Sequence, residues 1–197
     1  MKSIVTRLSI LVCTVGLAVA SALAIAPAAH AAVVSYVANL SGPDESPPNA
    51  SPATGFATVD VDATAHTMHV NVSFSGLLGT STASHIHAPT LVAGTGTAAV
   101  ATTTPSFSGF PLGVTSGTYD NTLDLTQASS YNPSYVTANG GSLPGAEAAL
   151  EAAIAAGKAY LNIHSNVFGG GEIRGFLVPA ATPVRESTWG KMKDFYR

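Results

Sequence analysis

Between positions 68 and 75 apolar and polar side chains alternate without a break. Met68, Val70, Val72 and Phe74 fall on one side, and His69, Asn71, Ser73 and Ser75 on the other. Successive side chains on a strand point to opposite faces, so this period predicts a half-buried strand over 68–77. Residues 55–62 alternate as well, with Ala57, Val59 and Val61 opposite Phe56, Thr58, Asp60 and Asp62. A short turn at 63–66 makes the two a hairpin with its apolar face on a core. Further strands are predicted at 33–40, 82–87, 160–165 and 172–178, and 119–125 reads as a strand or a turn. The stretch 91–104, rich in Gly, Thr, Ala and Val, reads as another strand with a glycine-rich entry. Residues 41–49 hold three prolines and a glycine and read as a loop. Residues 106–117 and 131–141 read as loop or irregular chain.

One helix stands out. Ser142 can cap it, Pro144 suits its first turn, Leu150 and Ile154 share a face, and Gly157 is placed to stop it. Glu147 and Glu151 favour its N-terminal half. Many short strands, turn signals between them, one short helix and no repeat predict an all-β sandwich or barrel.

The N-terminus changes the picture of where this fold works. Lys2 and Arg7 precede an apolar run, Leu8 to Ile25, and Ala29-His30-Ala31 offers a small-x-small cleavage site. This is the pattern of a secretory signal peptide over 1–31; the competing reading is a membrane anchor, for which the run is long enough. Removal leaves a domain over 32–178 and a tail over 179–197, placed outside the cytoplasm: secreted, periplasmic or at the cell surface, with no stable membrane span. The single cysteine, Cys13, leaves with the signal, so the remaining chain has neither disulfide nor thiol chemistry.

Charge narrows the partners. Over 32–178 nine acids face only Lys158 and Arg174, a net charge of −7. A domain of that sign repels phosphate backbones, which argues against nucleic acid and leaves an unidentified extracellular partner. No G-x-S-x-G elbow, cysteine nucleophile, H-E-x-x-H helix or dinucleotide loop is present, so no catalytic set is assigned.

Three motifs remain: Leu40-Ser-Gly-Pro-Asp-Glu-Ser-Pro-Pro48, Ser84-His-Ile-His-Ala-Pro89, and Tyr160-Leu-Asn-Ile-His-Ser165 followed by Gly169-Gly-Gly-Glu-Ile-Arg-Gly175. In this order, over roughly 33–178, they resemble the CHRD domain, a family named for repeats in chordin and found as single domains in bacterial secreted proteins. Ser84, Ala88 and Ser165 depart from the family's usual Ala, Gly and Thr by small-for-small changes. The resemblance implies an immunoglobulin-like or superoxide-dismutase-like β-sandwich or barrel, and no established activity. The end of the chain, 178–192, resembles a damaged PEP-CTERM sorting tail without its Pro-Glu-Pro triplet or membrane helix, and reads as a disordered basic tail.

The candidate chemistry lies in histidines. His85 and His87 are two apart on a strand and so point the same way, and His164 ends a second strand. If the strands neighbour each other, three imidazoles converge in a set that suits copper(II) or zinc. The pair is similar to the first copper-ligand pair of copper–zinc superoxide dismutases. The alternative is structural: histidines at strand ends hydrogen-bond to loop backbone, to Glu172 or to the 46–48 loop. Geometry separates the two, because rings with centres more than about 8 Å apart cannot share a metal with bonds of roughly 2 Å. His66 and His69 fall in or after a turn and read as solvated. Glu172 and Arg174 read either as a general base with an anion-binding partner or as structural groups, with Arg174 reaching Glu45 or Glu172. The leading functional expectation is a secreted non-enzymatic β-domain for binding or matrix interaction; the alternative is a copper- or zinc-binding protein.

Overall fold

The computed structural model describes residues 33–181. The segment read as a signal peptide, with Cys13, and the tail from 182 onward lie outside the described residues. Eight strands form one curled antiparallel sheet. They are β1 (Val34–Ser41), β2 (Thr54–Asp62), β3 (Thr67–Ser75), β4 (Ser81–His87), β5 (Gly117–Asp124), β6 (Tyr160–Ser165), β7 (Ile173–Phe176) and β8 (Val178–Pro179). The order is β4-β6-β7-β1-β2-β3-β5, with β8 pairing β1 off this path. The all-β expectation is met in the form of a single sheet.

The predicted hairpin is β2–β3, in register from Thr54 opposite Ser75 to Asp62 opposite Thr67. Met68, Val70 and Val72 of β3 and Ala57 and Val59 of β2 are fully buried, as their alternation requires. Tyr36, Ala38 and Leu40 of β1, Ile86 of β4, Leu161 and Ile163 of β6 and Ile173 of β7 complete the strand side of the core. Each buried Val, Leu, Ile or Met side chain among them contributes about 1.5–3 kcal/mol. Helix α2 (Leu143–Ala155) closes the core with Ala146, Leu150, Ala153 and Ile154. Its ends are those read from the sequence. Ser142 Oγ accepts from the Gly145 N–H, and Gly157 follows at φ 66°.

Three stretches differ from the sequence reading. Residues 91–104 form no strand and make only isolated bridges, at Val92, Thr95, Val100 and Thr102. Gly94 and Gly96 sit at φ 71° and 83°, which turns the chain away from an extended path. Residues 133–138, read as irregular, form helix α1 (Pro133–Ala138), capped by Asn132, which accepts from the Ser134 N–H. The final strand breaks into β7 and β8.

The half of the sheet built by β4, β6 and β7 positions the site. Its inner face carries Ile86, Leu161, Ile163 and Ile173. On the opposite face stand His85 and His87, then Tyr160, Asn162 and His164, then Arg174 and Phe176. That outer face is not solvated: His85, Tyr160, Asn162 and Arg174 are all buried. The loops around 42–49, 94–105 and 166–171 lie over it.

Candidate metal centre

Register brings the histidines together. β4 and β6 pair with Ala83 opposite His164, His85 opposite Asn162 and His87 opposite Tyr160, so His164 lies diagonally across from His85. Ring centres are 4.7 Å apart for His85–His87, 4.8 Å for His85–His164 and 6.3 Å for His87–His164. One ligand atom from each ring lies within 4.8 Å of the others.

Each ring is held from behind. His85 Nδ1–H donates to Pro105 O at 2.9 Å, His87 Nδ1–H to Ala98 O at 2.8 Å, and His164 Nδ1–H to Gly169 O at 2.9 Å. A backbone carbonyl only accepts, so each Nδ1 must carry its proton. In a neutral imidazole the other nitrogen is then bare. The structural role expected for strand-end histidines is therefore real at Nδ1, but its partners are loop carbonyls and not Glu172 or the 46–48 loop. The irregular 94–105 segment supplies two of the three. A true strand there would have spent those carbonyls on a ladder.

Nε2 is the nitrogen left bare on each ring. His85 Nε2 and His164 Nε2 are 3.0 Å apart. His87 Nε2 is buried and has no hydrogen-bond partner. Burial, reinforced by His87 and His164, pushes His85 down to about 4 against the pull of the Pro105 carbonyl. Burial pushes His87 to about 4 as well, with His164 and Arg174 adding to it against the Ala98 carbonyl, and lowers His164. The rings are thus neutral at pH 7, the form that binds metal.

The wall beside the histidines is aromatic. His87 stacks on Tyr160 with centroids 4.6 Å apart and planes 9° apart. On this same outer face the Arg174 guanidinium carbon lies 4.7 Å from the Tyr160 centroid and 5.5 Å from that of Phe176.

Glu172 and Arg174 do not act as a couple. Glu172 is fully buried and accepts hydrogen bonds from Ser51 Oγ at 2.7 Å and from the Leu78 and Gly79 N–H groups. Arg174 donates from Nε to Asp44 O and from Nη1 to Gly96 O, and its nearest carboxylate is Glu45, Nε to Oε2 3.9 Å. Both bind loops to the sheet. His66 and His69 stand apart from the triad. His66, exposed at φ 55°, contacts Glu147 at 2.8 Å, and His69 points outward from β3 to Asp120 at 2.8 Å.

Sequence reasoning missed Glu45 as a buried group. Its carboxyl is pushed up to about 7 by burial, against the opposing pull of Arg174. The three prolines of its loop read only as a turn signal.

A protein-family model for the CHRD domain matches residues 36–177. The chain belongs to the CHRD domain family. The match runs from within β1 to the residue after β7, so it takes in all three histidines and every strand but β8. Comparison with curated proteins and with solved structures finds no match. No helix among the described residues is long and apolar enough to cross a membrane.

Proposed function

We propose that this CHRD domain is an exported, non-enzymatic binding domain that holds copper(II) or zinc on His85, His87 and His164, and serves an extracellular or surface-binding role. The observation that carries the reading is the 3.0 Å approach of two Nε2 atoms whose rings each donate Nδ1–H to a carbonyl. Two bare nitrogens at that distance repel each other and cannot hydrogen-bond. A shared cation removes the repulsion. A tetrahedral metal with bonds of 2.0–2.1 Å spaces its nitrogens by about 3.3 Å, close to the spacing present.

The donor chemistry fits both metals, since each accepts imidazole. The backbone carbonyls behind the rings fix tautomer and orientation, as outer-shell partners do in histidine metal sites. Three protein ligands leave a fourth position for water or a partner's donor atom. Calorimetric titration with zinc and with copper(II) tests the reading. One equivalent is bound by the wild type and none by the H85A/H87A/H164A variant. Equal binding by both proteins refutes it.

A further inference from the structure

A cleft of about 530 Å³ opens beside Arg174, between the loop at 43–48 and the turn at 94–96. Asn39, Asp44, Glu45, Thr95, Arg174 and Phe176 are among its lining residues. Arg174 is one of only two basic residues between 32 and 178, and it is 5% exposed. Its Nε and Nη1 donate to the carbonyls of Asp44 and Gly96. Nη2 makes no hydrogen bond to a backbone carbonyl or a carboxylate among the described residues, although the guanidinium also meets the Tyr160 hydroxyl. A buried cation requires a countercharge. Among the described residues the only carboxylate oxygen near it is Glu45 Oε2 at 3.9 Å, too long for a hydrogen bond. The other carboxyl oxygen, Glu45 Oε1, is buried without a partner. The guanidinium is also flanked by the Tyr160 and Phe176 rings, which keep it in place and dry.

We propose that this cleft binds a small organic carboxylate, with Arg174 Nη2 donating to the ligand's carboxylate and the ligand's body lying over Phe176 towards Asn39 and Thr95. The chemistry is that of a charge-assisted bond from a guanidinium already held at Nε and Nη1 by loop carbonyls, so little freedom is lost on binding. Glu45 sets the pH range. The groups facing it are Arg174 from β7, Tyr160 from β6 and Asp44 from its own loop. While protonated, Glu45 leaves the guanidinium to the ligand. Once ionised, it competes for Arg174 and repels the ligand.

The inference does not depend on the metal reading, and its test is run on metal-stripped protein in chelator, so that no carboxylate held by a metal is counted. Sodium acetate and sodium galacturonate are titrated while the Arg174 Nε–H and Phe176 ring resonances are followed by NMR. Both ligands give saturable shifts, and neutral galactose gives none. Thr95→Asp, which places a negative charge at the rim, weakens binding about ten-fold, while Thr95→Asn does not. Raising the pH from about 6 to about 8.5 weakens binding to the wild type but not to Glu45→Gln. Absence of saturable shifts, equal binding of galactose, or indifference to Thr95→Asp overturns the proposal. So does a wild-type pH profile identical to that of Glu45→Gln. Because Thr95 is exposed and Glu45→Gln keeps the side-chain shape, neither test depends on a variant that fails to fold.

Discussion

His85 and His164 meet at their Nε2 atoms, 3.0 Å apart, while their Nδ1 atoms point away to the carbonyls of Pro105 and Gly169. Rings whose two bare nitrogens are so placed cannot hydrogen-bond to each other, and in the proposed reading a cation lies between them. Replacing either one by Ala is therefore expected to weaken zinc or copper(II) binding by about 100-fold or more, because a three-ligand site loses one of its bonds. His87→Ala, which removes the buried unpaired Nε2, is expected to cost a similar factor. Competition titrations against a chelator of known affinity measure each loss.

Glu172 is the acceptor that ties two loops to the sheet. Burial raises its pKa, and hydrogen bonds from Ser165, Ser51, Leu78 and Gly79 outweigh that, so the carboxyl lies below its ordinary value. Glu172→Ala leaves the Leu78 and Gly79 N–H groups and the Ser51 hydroxyl without their acceptor. It is expected to destabilise the fold by about 3 kcal/mol or more. Glu172→Gln keeps one acceptor oxygen and costs less. Denaturant melts of the two variants give the comparison. A folded pKa that is lowered also predicts a stability contribution present above pH 4.5, the ordinary value, and lost as pH falls through the folded pKa.

His69 carries the opposite sign. Its hydrogen bond to Asp120 is the main cause of a pKa above 6.5, and Asp60, 3.6 Å from Nδ1, adds to it. The group stabilises the fold below its unfolded value and ceases to do so as pH rises through the folded one. NMR titration of the His69 ring should show a midpoint above 6.5 that drops in Asp120→Asn.

Gly175 lies in β7 against the backbone of β1. A Cβ placed there collides with the carbonyl of Asn39, which cannot move without breaking the sheet. Gly175→Ala is expected to lower stability by about 2 kcal/mol or more, within the range for overpacking. Thermal unfolding checks it; an unchanged melting temperature contradicts the packing described.

What the sequence disclosed depended on the physical signal available. Strict alternation in β2 and β3 was enough to predict both strands, their shared face and their hairpin. Ser142, Pro144 and Gly157 marked helix α2 because capping is a local effect. His85 and His87 were expected to share a face because the strand period is two, and the meeting with His164 hung on strand adjacency, which no local signal carries. The segment 91–104 misled for a related reason. Val and Thr favour strands, but Gly94 and Gly96 at positive φ overrode them, and the carbonyls of Ala98 and, just past the segment, Pro105 went to the histidines. Helix α1 was overlooked although Asn132-Pro133 is a cap followed by a proline at the first helical position, a signal as legible as that of α2. Glu45 was offered from sequence only as one of two carboxylates for Arg174, and its burial was not legible, because 130 positions separate Arg174 from Asp44, whose carbonyl holds it.

The central claim is that three Nε2 atoms hold one metal while three Nδ1 atoms keep their protons. Nitrogen-15 NMR of the histidine rings, recorded with and without one equivalent of zinc, tests it most directly. The account predicts that zinc shifts Nε2 of His85, His87 and His164 together and leaves each Nδ1 protonated, with His66 and His69 unchanged. Nε2 signals of the three that stay where they were, or zinc-dependent shifts confined to His66 or His69, contradict it.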